Sequence, residues 1–171
     1  MLLRLSLRRV RNRSYQHPRF SIMGPHEHDH LFFSSGGVQG INLANARTGQ
    51  LENLDECDED VFPATFAKVT VLITLHGYEV YRRVKNVQRV RGGVPLPVQR
   101  SKLVRCIAEA MQGFINQARP TSDHDGAFAF GLAGIQMEHL YLLEIHRYGK
   151  TLVPVLGYVP PGIDLAVTVR C

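Results

Sequence analysis

Between Pro97 and Pro120 apolar residues return every three or four positions, and this stretch decides most of what the chain can fold into. Leu103, Ile107, Met111, Phe114, Ile115 and Ala118 form one stripe of a helix over 98–118, with Lys102, Arg105, Glu109, Gln112 and Asn116 on the other side. Pro97 suits the first helical position, where its missing N–H costs nothing, and Pro120 stops the helix. A helix with one apolar face needs an apolar layer to cover, and the flanking sequence supplies one with period two.

Upstream, Val69, Val71, Ile73 and Leu75 alternate with Thr70, Leu72 and Thr74. His76-Gly77 allows a reversal, and Tyr78, Val80 and Val84 continue beyond it, which predicts a hairpin. A short strand is expected near 87–90, whereas Gly92-Gly93, Pro95 and Pro97 argue against regular pairing after it. Downstream, Phe128, Phe130 and Leu132 alternate with small residues. A second hairpin is predicted with strands at 139–147 and 151–159, turning at Tyr148-Gly149-Lys150, and a last strand within 164–170. Pro154 in the returning strand points to a sheet edge or a bulge. The fold class is α+β: an antiparallel sheet of two hairpin groups flanking one long amphipathic helix, after an irregular N-terminal third.

Charge divides the chain further. The 171 residues hold 20 Lys and Arg against 15 Asp and Glu, a net charge of +5. Arg4, Arg8, Arg9, Arg11, Arg13 and Arg19 all precede the first carboxylate, Glu27, and without them the remainder carries 14 cations against 15 acids. The basic balance therefore belongs to the N-terminus. An Arg-rich, acid-free stretch with Leu3, Leu7 and Val10 on one helical face looks like a mitochondrial presequence, which is expected over 1–20, followed by a loop-rich, partly disordered segment over 21–65 and one α+β domain over 66–171. No apolar run is long enough to cross a bilayer. Cys57, Cys106 and Cys171 form no CxxC pair and read as free thiols in a reducing compartment.

Three constellations could carry chemistry. His26, His28 and His30 alternate with Glu27 and Asp29, so an extended strand would present three imidazoles on one side, a set that suits zinc, copper or nickel. The HxH pair is similar to that of the cupins, although no glutamate follows between Leu31 and Ser35. A metal site needs rigid support, and this segment lies in a glycine-rich stretch beside the leader, so it reads as a hydrophilic linker with no cofactor expected.

Asp125, before a strand, and Glu144 with His146, on one side of the second hairpin, are similar to the restriction-endonuclease-like nucleases. That resemblance implies Mg²⁺ and an activated water, but His146 stands where the family has lysine. Third, Arg82, Arg83, Lys85, Arg89, Arg91, Arg100, Lys102 and Arg105 run without an intervening acid, beside Tyr78 and Tyr81. Such cations neutralise phosphates and such rings stack on unpaired bases. They could equally answer the acidic block of Glu52, Asp55, Glu56, Asp58, Glu59 and Asp60.

The leading expectation is a non-enzymatic subunit of a mitochondrial matrix assembly, of ribosomal or RNA-processing type, contacting RNA or a protein partner through this basic edge. Two alternatives stand beside it: a small metal-dependent hydrolase or nuclease using Asp125, Glu144 and His146, and a structural subunit of a respiratory or import complex.

Overall fold

The computed structural model describes residues 29–121, 129–131 and 134–159, and the backbone of Arg8–Arg9 and His28. In chain order the elements are β1 (Arg8–Arg9), β2 (His28–Phe32), β3 (Ser34–Ser35), β4 (Val38–Gln39), β5 (Ile41–Asn42), α1 (Leu43–Thr48), β6 (Asp60–Phe62) and β7 (Lys68–Ile73). They continue with β8 (Tyr81–Asn86), β9 (Arg89–Arg91), β10 (Val94–Leu96), β11 (Val98–Gln99), α2 (Arg100–Gln117), β12 (Leu140–Tyr148) and β13 (Thr151–Tyr158). The main sheet runs β2-β12-β13-β7-β8, with β1 beside β13 and β5 beside β12.

Both expected hairpins form, and the fold is α+β. In β7–β8 the register runs from Lys68↔Asn86 to Ile73↔Tyr81, and in β12–β13 it closes at Tyr148↔Thr151 around Gly149-Lys150. The hairpins join through a short parallel contact, Thr151↔Thr70 and Leu152↔Val71, which strand periodicity does not specify. β13 is thus interior, not an edge. Pro154 lies beyond the two residues that pair with β7, so its missing N–H breaks no bond on that side.

The helix α2 covers the sheet with Leu103, Ile107, Met111 and Phe114, as the stripe predicts. Val104, Cys106, Ala108 and Ala110 are buried too: α1 packs on α2, and the Cys106 thiol reaches the Asn86 carbonyl at the end of β8 at 3.8 Å. The start differs from expectation. Pro97 precedes the helix by three residues, and Val98–Gln99 pair with Phe62 and Asp60. Gln99 offers no side-chain cap; the Arg100 and Ser101 N–H groups donate to the carbonyls of Glu59 and Cys57 at 2.9 and 3.0 Å.

Residues 28–65 are not the loop-rich segment the sequence suggests. β2 is a strand of the main sheet, and Leu31, Phe33, Ile41, Leu43, Ala46, Leu54 and Phe62 belong to the core. Asn42 accepts from Ala44 and Asn45 N–H groups and starts α1, and Gly49 caps its end. Two short hairpins, β3–β4 and β9–β10, turn on Gly36-Gly37 and Gly92-Gly93, whose φ values of 57° and 78°, and of 57° and 80°, fit the tight turns that favour two glycines. β10 pairs despite Pro95, correcting the expectation that 92–97 excludes regular pairing. The expected presequence apart from Arg8–Arg9, half of the strand near 128–133 and the last strand lie outside the described residues.

Candidate metal centre

The feature that builds the site is one extra residue in β12. The β12–β13 register shifts between Leu142 and Glu144, leaving Leu143 unpaired with β13 while its carbonyl accepts from the Phe33 N–H at 3.0 Å. A bulge of this kind changes which face each following side chain takes. Before it, Leu140 and Leu142 enter the core; after it, Ile145 enters the core and Arg147 is buried on the same side, its guanidinium over the core residue Phe62. Glu144 and His146 therefore point to the face away from the core, where an unbroken alternation would have turned them inward.

On that face β2 pairs antiparallel with β12, with His146↔His30 and Glu144↔Phe32. His30 and His146 are directly opposite, their rings 4.1 Å apart between centroids. The Glu144 carboxylate lies between them: Oε1 makes a short contact with His30 Nδ1 and lies 3.0 Å from His146 Nε2. One ligating atom from each residue falls within 4.8 Å of the other two. The neighbours across β13, Val153 for His146 and Val155 for Glu144, are buried, so the set has an apolar flank. Glu144 is the most enclosed of the three, its side chain 12% exposed against 24% for His146 and 39% for His30.

The strands are held from the other side. Arg147, opposite Asp29 in the register, is buried with its Nη2 3.7 Å from the Asp29 carboxylate and its guanidinium 5.8 Å from the Phe62 ring centre. Asp29 also accepts the backbone N–H of His30 at 2.8 Å. The residues adjacent to both histidines are thereby tied to the core, which fixes where the imidazoles stand.

Two imidazoles and a carboxylate are three Lewis bases of the kind that hold zinc or iron(II). Around a four-coordinate ion with bonds of about 2.1 Å, ligating atoms stand about 3.4 Å apart. The observed ligating atoms already lie within 4.8 Å of one another, and the three residue types fit such an ion. Any remaining coordination positions fall to water, a substrate or a group outside the described residues.

The sequence offered these three residues in two unrelated readings. His30 belonged to the histidine run, Glu144 and His146 to the nuclease-like set, and the β2–β12 pairing joins them. His30 is in a paired strand and not in a linker. The backbone of His28 pairs with Tyr148. His26 and Asp125 lie outside the described residues. The sequence signal that could have found the site is the match of two alternating blocks, HDHLF and EIHRY, whose antiparallel alignment also pairs Asp29 with Arg147. His139 accepts the Gln136 N–H at 3.1 Å and shapes the turn before β12.

The basic run is divided. Arg100, 2% exposed, pairs with Glu56 at 3.2 Å and with Glu59, and donates to the Phe32 carbonyl at 2.8 Å, so it is a core cation and not a surface contact. Lys85 pairs with Glu109 on α2, and Arg89 donates to the Pro97 carbonyl at 3.0 Å with Asp60 at 3.7 Å. Lys102 is half-buried, while Arg82, Arg83, Arg91 and Arg105 are exposed. The expected stacking rings face inward. Tyr78 packs edge-on against Phe114 and Phe130, and Tyr81 packs against Phe114, so close to α2 that a Cβ on Gly113 would overlap its hydroxyl.

No protein-family model, curated protein or solved structure matches the chain. Among the described residues no helix is long and apolar enough to cross a membrane.

Proposed function

We propose that the protein is a small metal-dependent hydrolase whose ion is held by His30, Glu144 and His146. The observation that carries this reading is the β2–β12 register, which brings three ligating atoms within 4.8 Å of one another on one face of the sheet. A bound divalent ion of this class lowers the pKa of its water towards neutrality and supplies a nucleophile there. The chain's own part is to fix the three donors, keep Glu144 largely out of water and wall the site with Val153 and Val155.

The proposal narrows the nuclease alternative. Strands are about 4.8 Å apart, so three spacings put the exposed cations of β8 about 14 Å from β12. The basic edge is therefore too remote to cradle a phosphodiester at this centre. The test is hydrolysis of p-nitrophenyl acetate and of bis(p-nitrophenyl) phosphate by the full chain with zinc or manganese. Metal-dependent ester hydrolysis abolished by Glu144→Gln supports the reading, and equal rates in that variant would overturn it.

A second reading, a subunit of a mitochondrial assembly, is supported by two observations. The acid-free arginine segment favours import, and exposed Arg82, Arg83, Arg91 and Arg105 suit a macromolecular partner. Fractionation of cells with sequencing of the mature N-terminus tests the location. A full-length chain recovered outside mitochondria would remove it.

A further inference from the structure

β8 ends the main sheet, and its backbone has a side with no strand against it among the described residues. Thr70 donates its N–H to the Lys150 carbonyl at 2.8 Å, on the β13 side of β7. The alternate residues Val69, Val71 and Ile73 therefore face β8, where their register partners are Lys85, Arg83 and Tyr81. That leaves the N–H and C=O groups of Arg82 and Val84 directed outwards. Native sheets guard such edges because they pair readily with another extended chain.

The side chains at this edge say what would fit. Val80 and Val84 are exposed at 56% and 59%, beside exposed Arg82 and Arg83. No acid lies between Glu79 and Glu109, and the acidic residues Glu56, Glu59 and Asp60 are taken by Arg100 and Arg89. Unpaired bases would want exposed rings, but Tyr78 and Tyr81 are packed inwards and the exposed apolar groups here are valines. A second copy pairing β8 with β8 would set arginines against arginines.

We infer that the β8 edge takes an extended acidic segment of a protein partner as an added strand, with main-chain bonds to Arg82 and Val84, apolar side chains on the Val84 face and carboxylates on the opposite face meeting Arg83. The inference rests on the basic-edge reading and is independent of the metal centre.

The test is fluorescence anisotropy of the full chain with a blocked, labelled heptapeptide that alternates valine with aspartate or glutamate. Comparison probes are the same peptide with N-methylated valines, a version with lysine for each acid, and a 15-nucleotide oligo(U). The acidic peptide should bind, and each of three changes should weaken it by about tenfold or more: N-methylation, Arg83→Glu, and Val84→Pro. Val84→Pro removes one outward N–H without touching the β7 ladder. Should it disturb folding by circular dichroism, the N-methylated peptide makes the same test on the unaltered protein. Equal binding of the N-methylated peptide would overturn strand addition. Binding of oligo(U) alone would overturn this inference and keep the basic-edge reading; binding of neither probe would end both.

Discussion

Arg100 and Glu144 are both charged groups that the fold withdraws from water, yet their surroundings differ in kind. Around Arg100, 2% exposed, a permanent cation meets Glu56, Glu59 and the Phe32 carbonyl, so opposite charges answer one another. Around Glu144, the neighbours at hydrogen-bond range are two imidazoles, and every one of the three groups can donate a lone pair to an ion. The first arrangement is a fold element that locks the 56–59 loop onto the start of α2. The second is a carboxylate between two imidazoles, whose ring N–H groups can donate to it and whose lone pairs, with the carboxylate's, can equally hold an ion.

The difference can be broken at several points. Deleting Leu143 should have the largest effect. It removes the bulge, so either Glu144 and His146 turn into the core or Ile145 and Arg147 turn out of it, with a loss above about 4 kcal/mol in urea denaturation. The double variant Glu56→Gln, Glu59→Gln comes next. It leaves buried Arg100 without a carboxylate and should cost about 3 kcal/mol, whereas Arg100→Met should cost less, because the half-exposed glutamates return to water. Neither change should alter metal binding.

On the other side of the comparison, zinc at 100 times its Kd should raise stability by about 2.7 kcal/mol in the native chain and leave Glu144→Gln unchanged. A smaller effect is expected from Cys106. Burial raises its thiol above the ordinary value of 9.0, with Lys102 opposing. The folded chain then holds this proton more tightly than the unfolded one. Its contribution is fully present below about pH 9 and is lost as the pH rises through the folded value, a slope that Cys106→Ala should flatten. The smallest change is Lys85→Ala at the half-exposed pair with Glu109, within about 1 kcal/mol.

How much of this was legible follows from which signals are local. The helical stripe from Leu103 to Phe114 and the alternation in both hairpins are periodic, and those elements stand where they were expected. Signals made of one or two residues were misread. Gly36-Gly37 and Gly92-Gly93 looked like loop punctuation and are hairpin turns, and Asn42 and Gly49 are helix caps. Periodicity was also silent on partners. His30 and Glu144 are 114 positions apart, and their meeting depends on β2 choosing β12 and on a bulge that no alternation announces. Tyr81 shows the same limit: adjacent to the arginines in sequence, it turns to Phe114 in the fold.

The most direct measurement is the metal content of the purified full chain after dialysis against zinc, read by inductively coupled plasma mass spectrometry beside His30→Ala, Glu144→Gln and His146→Ala. The account predicts one ion per chain in the native protein, retained by the Glu56→Gln, Glu59→Gln variant if it folds, and lost from all three site variants. No bound ion, or the same ion count in the three site variants, would contradict it.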